Sequence, residues 1–243
     1  MEKKINIAII GYGKMGREVE RLALEKGYQV VARIDNDLQW ETQRQALMNA
    51  DAAIEFTAPV QAPANIEKCF GLGIPVVCGT TGWQQELPRV TSLCHEMGQA
   101  LFHSPNFSIG VNIFFDINRR LASLMRDLQG YRPSIMETHH IQKLDAPSGT
   151  AVALANDILA ERRDLKRWAL GQEGEAPDML SVEARRIEGV TGTHTVTYTS
   201  PIDTIEIKHT SHNRSGFAEG ALLAAVWLTD KKGVFTMKDL LNL

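Results

Sequence analysis

Ile5-Asn6-Ile7-Ala8-Ile9-Ile10-Gly11-Tyr12-Gly13-Lys14-Met15-Gly16 joins a short apolar run to a G-x-G-x-x-G loop, and a helical pattern follows with Met15, Val19, Leu22 and Ala23 on one face. In a strand that feeds such a loop, the first glycine permits a tight turn and the second lets backbone approach a pyrophosphate. The helix start then supplies free N–H donors. Residues 29–34 (QVVARI) read as the next strand, and Asp35 at its end stands 19 residues beyond Gly16. That is close to the spacing at which a carboxylate meets the adenine ribose hydroxyls, so the stretch reads as a dinucleotide-binding unit. Gly11, Tyr12, Gly13, Lys14, Met15, Gly16 and Asp35 are its candidate contacts.

The alternation continues outward. Residues 52–56, 75–78 and 100–102 read as short strands, with helical segments at 62–72 and 86–97 between them. Strands separated by helices imply a parallel sheet with right-handed crossovers. In such a sheet ligands sit outside the carboxyl ends of the strands. The loops Gly79-Thr80-Thr81-Gly82 and Ser104-Pro105-Asn106-Phe107 fall at those ends, which makes them candidates for the nicotinamide half.

Beyond an amphipathic stretch at 110–128 the rhythm changes to strands at 134–140, 181–188, 193–200 and 204–212, with turn signals at 189–192 and 200–203. These predict an open, mostly antiparallel sheet. The charged stretch 161–178 (ERRDLKRWALGQEGEAPD) reads as the mobile loop. A helix at 217–229 and an apolar tail are expected to return to the first domain. The fold class is therefore α/β: a Rossmann-type parallel-sheet dinucleotide-binding domain formed by 1–107 and 217–243, plus a smaller α+β domain at 108–216.

Residues 137–150 (ETHHIQKLDAPSGT) carry the densest chemistry. Exposed N–H groups at Gly149 and Thr150 would bind a carboxylate at a helix start, Lys143 would neutralise an anion, and a histidine would supply a proton near pH 7. A small dicarboxylate is the expected guest. Adjacent His139 and His140 on a strand point to opposite faces, which disfavours a shared metal, so no metal is assigned. His209, His212 and Arg214 read as a solvated sheet end, and Trp168 and Trp227 as packing residues.

Composition narrows the classes further. A net charge of −3 without a block of like charges argues against nucleic acid and anionic membranes. The longest apolar stretch, 220–228 (GALLAAVWL), is about half the length of a membrane-spanning helix. Three cysteines, Cys69, Cys78 and Cys94, without a Cys-x-x-Cys suit buried thiols in a reducing cytoplasm.

The chain resembles one family over nearly its whole length: 4-hydroxy-tetrahydrodipicolinate reductase, also called dihydrodipicolinate reductase, of bacterial lysine and diaminopimelate synthesis. The likeness rests on the glycine loop, Phe56-Thr57-x-Pro59, Gly79-Thr80-Thr81-Gly82, Asn106-Phe107-Ser108-x-Gly110-Val111-Asn112, Phe217-Ala218-x-Gly220-Ala221, and above all Glu137-x-His139-His140-x-x-Lys143-x-Asp145-Ala146-Pro147-Ser148-Gly149-Thr150-Ala151. The resemblance implies that His139 is the catalytic acid or base and Lys143 the proton donor or carboxylate partner, while His140, Gly149 and Thr150 bind substrate. It also implies a homotetramer assembled through the C-terminal domain sheet, whose open edge needs a cover. In the implied reaction the hydroxylated ring loses water, and its conjugated imine accepts hydride.

The chain departs from longer members in a glycine loop one residue shorter than G-x-x-G-x-x-G, in a reduced stretch between Asp37 and Ala52, and in Ile141 and Gln142 where many members carry Arg and His. Both NADH and NADPH are expected to serve, with NADH favoured or equal: Asp35 repels a 2′-phosphate, Asn36 stands where an arginine would mark phosphate preference, and Lys14 offsets part of the repulsion. Two rival readings are another Rossmann amino-acid dehydrogenase, which would lack the His139 to Thr150 constellation, and a dinucleotide-sensing protein without turnover.

Overall fold

The structure, a computed structural model, describes residues 4–171, 176–213 and 215–243, and these fall into two compact units. The first comprises the chain up to Ile109 together with Ser215–Leu243, and the second Gly110–Arg214.

In the first unit, β1 (Asn6–Ile10), β2 (Gln29–Ile34), β3 (Ala52–Glu55), β4 (Val76–Cys78) and β5 (Ala100–His103) alternate with α1 (Lys14–Glu25), the short α2 (Asp37–Thr42) and α3 (Arg44–Leu47), α4 (Ala62–Gly71) and α5 (Leu87–Glu96). The runs of Ile, Val and Ala are buried on both faces of the sheet, as parallel strands covered by helices require. After the second unit the chain adds α8 (Ser215–Leu228), β11 (Gly233–Phe235) and α9 (Met237–Leu241). All pairings are parallel, in the order β11-β5-β4-β3-β1-β2, so the direction of winding reverses between β1 and β3.

The apolar stretch of α8 is core and lies against α1 and β3–β5. Gly220 makes that packing possible, because a Cβ there would collide with the Phe107 carbonyl. Trp227 meets Phe102 and Phe235 edge-on, and Cys69, Cys78 and Cys94 are buried free thiols. No helix among the described residues is long and apolar enough to cross a membrane.

In the second unit, α6 (Ile109–Leu124, its first residue in the first unit) and α7 (Gly149–Glu161) supply Phe114, Ala122, Leu154 and Ile158 to a core with Ile135, Leu180, Val196 and Tyr198. The sheet runs β10-β9-β6-β8-β7, from β6 (Arg132–His139), β7 (Arg167–Leu170), β8 (Met179–Arg186), β9 (Gly192–Thr199) and β10 (Thr204–Ser211). It is mixed rather than mostly antiparallel. β6 and β8 pair in parallel, as do β7 and β8, while β6–β9 and β9–β10 are antiparallel. α7 joins β6 to β7, and a crossover through a helix returns the chain in the same direction, whereas the short turns after β8 and β9 reverse it.

The stretch expected to be a mobile loop also differs. It contains the end of α7 and the edge strand β7, and residues 172–175 lie outside the described residues. His209 is not a solvated sheet end either. It packs against the Phe114 ring at 6.0 Å, and burial lowers its pKa, with His194 and His212 adding to the effect; Arg214 lies outside the described residues.

Candidate active site

At the switch point of the first unit, Gly11 takes φ +93°, and a Cβ there would collide with the Phe56 carbonyl oxygen. Gly16 is equally closed, against the Gly11 carbonyl. A Cβ on Gly13, by contrast, meets nothing within 4 Å. The two outer glycines are thus required by packing, and the middle one leaves open space above the backbone. α1 starts there with no side-chain cap and no acid in its first turn, so the N–H groups of Lys14, Met15 and Gly16 remain for an anion. A cavity of about 450 Å³ opens beside this turn, bounded by Gly13, Asp35, Trp40, Phe56, Thr57 and Asn65. These residues fit the adenosine and pyrophosphate portions of a dinucleotide.

Tyr12 serves the loop itself. Its N–H donates to Asp35 Oδ1 at 2.9 Å, its hydroxyl donates to Glu20, and Arg17 lies over its ring at 5.5 Å. A smaller cavity of about 170 Å³ is lined by Thr80, Thr81, Trp83, His103, Ser104 and Pro105. The Thr80 hydroxyl accepts from Thr57 N–H at 2.8 Å, and a Cβ on Gly79 would strike the Phe56 ring. Asn106 Oδ1 accepts from Ser108 N–H, and Met15 and Phe107 pack their side chains into the core, so these two offer backbone alone.

The second unit gathers the histidine and lysine segment around the start of α7. Period-two burial along β6 places Glu137 and His139 on the core face with Ile135, and the cross-strand partner of Glu137 on β9 is His194. Glu137 is fully buried. Its Oε2 accepts from Ser148 N–H at 3.0 Å and lies 3.6 Å from both His139 Nδ1 and His194 Nε2. Its Oε1 lies 3.3 Å from both terminal nitrogens of Arg186. Burial alone would raise the Glu137 pKa, but contacts from His194 and Ser148 and the nearby His139 outweigh it and hold the group at about 2. His139 is also lowered, to about 4, through burial and the charge of His194, with Lys143 and Arg186 adding and Glu137 opposing.

Lys143 Nζ donates to both oxygens of Asp145, at 2.8 and 2.9 Å. Arg186 braces the same turn by donating to the carbonyls of Asp145 at 2.7 Å and Lys143 at 3.3 Å. Ser148 caps α7 by accepting from Ala151 N–H at 3.2 Å, and its hydroxyl is 3.0 Å from His194 Nε2. The N–H groups of Gly149 and Thr150 open the helix without an intrahelical acceptor, and a Cβ on Gly149 would meet nothing within 4 Å. There is room for an anion at this terminus. His140 follows the last residue of β6.

Glu137, Ser148, Arg186 and His194 are the members that the sequence reading left without a role. Glu137 had a signal: a carboxylate two residues from Ile135 and from His139 on an alternating strand must face the core. Ligand atoms of Glu137, His139 and His194 lie within 4.8 Å of one another, a spacing that a metal could bridge. The Arg186 guanidinium and the Ser148 N–H and hydroxyl occupy the same oxygens and nitrogen, which favours a hydrogen-bonded network instead.

Known proteins resemble this chain across both units. Residues 5–107 match the family model for the N-terminus of dihydrodipicolinate reductase, and residues 110–241 match that for its C-terminus. The chain is 45% identical over 238 residues to the 4-hydroxy-tetrahydrodipicolinate reductase of Christiangramia forsetii, covering 98% of both. It is 34% identical to that of Methanosarcina acetivorans, covering 98% of this chain and 89% of the relative. In fold it resembles a dipicolinate-bound dihydrodipicolinate reductase from Paenisporosarcina sp. TG-14, with TM-score 0.74, 23% identity, and coverage of 96% and 98%.

Proposed function

The chain belongs to the dihydrodipicolinate reductase family, and from that premise we propose how its residues carry out the nicotinamide-dependent reduction of 4-hydroxy-tetrahydrodipicolinate in lysine and diaminopimelate synthesis. The observation that carries the reading is the open α7 N-terminus at Gly149 and Thr150, with His139 and Lys143 on the segment that leads into it. When bound, the nicotinamide dinucleotide supplies the hydride. In the first unit the glycine loop and α1 bind its pyrophosphate, Asp35 accepts from the ribose, and the loops at Gly79 to Thr81 and Ser104 to Phe107 bound the nicotinamide half. In the second unit Gly149 N–H, Thr150 N–H, His140 and Lys143 hold the substrate carboxylates, which fixes the ring for reaction. His139 delivers the proton that the reduced ring takes up at carbon, or orients the water that does so.

With a pKa near 4, His139 is neutral at pH 7 in the free protein. A dianion bound beside it favours imidazolium and raises that value, so the proton enters with the substrate. Dipicolinate, a planar analogue with the same two carboxylates, is therefore expected to bind with net proton uptake between pH 5 and 7. Calorimetry in buffers of different ionisation enthalpy measures this directly. Absence of binding, or proton release, would contradict the site.

Cofactor preference follows from two opposed charges. Asp35 is anchored by the Tyr12 N–H and repels a 2′-phosphate, while the Asn36 side chain caps α2 by accepting from Gln39 N–H. Lys14, at the first position of α1, is the cation that offsets it. NADH is expected to be favoured or equal, with a preference within about tenfold, or 1.4 kcal/mol. Asp35→Ala should shift preference toward NADPH while weakening both, because Tyr12 N–H loses its acceptor. Lys14→Ala should shift it toward NADH. A wild-type kcat/KM a hundredfold higher with NADPH would show that another residue meets the ribose.

A further inference from the structure

Glu137 is a buried ionisable group of the second unit that the chemistry above leaves without a part, yet it touches each portion of the substrate site. One carboxylate oxygen faces His139 Nδ1 and His194 Nε2 at 3.6 Å each and accepts from the N–H of Ser148, the residue that caps α7. The other faces Arg186, which donates to the carbonyls of the Lys143–Asp145 turn. An aliphatic side chain in this position would extend the core begun by Ile135 and avoid the several kcal/mol that burying a carboxylate costs. The charge is retained, and its four neighbours belong to β6, β8, β9 and the start of α7.

We propose that Glu137 is a positioning residue for this reductase: seated by His194 and Arg186, it fixes the His139 ring through Nδ1 and holds the α7 anion site in register with it. The His139 Nδ1 atom is buried and has no hydrogen-bond partner, so the facing carboxylate oxygen is the acceptor available to it. In unliganded enzymes such catalytic hydrogen bonds are often long and tighten in the complex. Occupying Nδ1 in this way leaves Nε2 to exchange the proton. The opposite edge of the ring is shaped to match: a Cβ on Gly192 would come within 3.2 Å of Nε2 and Cδ2, so glycine keeps that edge clear.

The inference rests on His139 acting on substrate, and its test separates the two claims. Four charged or titratable groups face His139: Glu137 on β6, Arg186 on β8, His194 on β9 and Lys143 on the loop after β6. Removing the one negative charge among them, in Glu137→Gln, should lower the His139 titration midpoint read by histidine NMR and lower kcat on the order of 10²-fold, the cost of a small misplacement at a reacting group. KM for NADH should stay at its wild-type value. Glu137→Gln leaves Arg186 unbalanced, so His194→Gln provides a second reading. It keeps a donor toward Ser148 and should lower kcat with an unchanged thermal midpoint. If both variants keep wild-type kcat while His139→Gln loses it, the positioning role is wrong and the proton-donor assignment stands. Loss of kcat in Glu137→Gln with an unmoved His139 midpoint would reduce Glu137 to packing and also overturn the proposal. Wild-type turnover in His139→Gln would instead remove the premise.

Discussion

Replacing His139 with glutamine is expected to lower kcat by about 10²- to 10⁴-fold, the range that a positioned acid or base contributes. Glutamine fills a similar volume and can donate a hydrogen bond, but it cannot take up and release a proton at neutral pH. KM for NADH should barely change, because the residues proposed to hold the dinucleotide belong to the other compact unit. The cost to folding should also be small. His139 Nδ1 is buried without a hydrogen-bond partner, so substitution breaks no strong contact there, and a thermal midpoint near wild type would show that the loss is chemical. Wild-type turnover in this variant would remove His139 from the mechanism.

Lys143→Ala should impair both substrate KM and kcat. The ammonium is paired with Asp145, which is more than half exposed, so breaking that ion pair costs about 0–1 kcal/mol of stability and should leave the protein folded. A hydrogen bond to a charged group contributes about 1.5–3 kcal/mol, which predicts a rise in substrate KM of about 10- to 10²-fold. Asp145→Asn provides a control of opposite sense: releasing the ammonium from its carboxylate should leave substrate KM unchanged or lower. Steady-state kinetics at fixed, saturating NADH reads both. An unchanged KM in Lys143→Ala would show that the lysine stays with Asp145 when substrate binds.

The parallel sheet was legible because β1 to β5 are short apolar runs, each followed by a loop and then a helical pattern. Residues 29–34 are predicted and observed with the same bounds. β11 and β7 were not legible: Gly233–Phe235 has three residues, and Arg167–Leu170 is an edge strand within a charged stretch without alternation. The second sheet is mixed because α7 returns the chain from β6 to β7 in the same direction, a crossover that the helical pattern near Ala151 signals. No pattern within a single strand signals the parallel pairing of β8 with β6 and β7. In the site, His139, Lys143, Gly149 and Thr150 were legible from one segment, whereas Glu137 and Ser148 of that segment gain their parts only through the partners that other strands bring to them. His194 meets Glu137 through sheet register, and Arg186 through the parallel pairing of β6 with β8, neither of which a single strand's pattern encodes.

The central claim is that this chain reduces 4-hydroxy-tetrahydrodipicolinate with a nicotinamide cofactor. The direct measurement is loss of reduced-nicotinamide absorbance when purified protein and NADH meet substrate freshly generated from pyruvate and aspartate semialdehyde. The account predicts stoichiometric, enzyme-dependent oxidation that dipicolinate inhibits competitively against substrate. NADH that stays reduced under these conditions, in protein shown by calorimetry to bind NADH, would contradict it and leave a dinucleotide-binding protein without this activity.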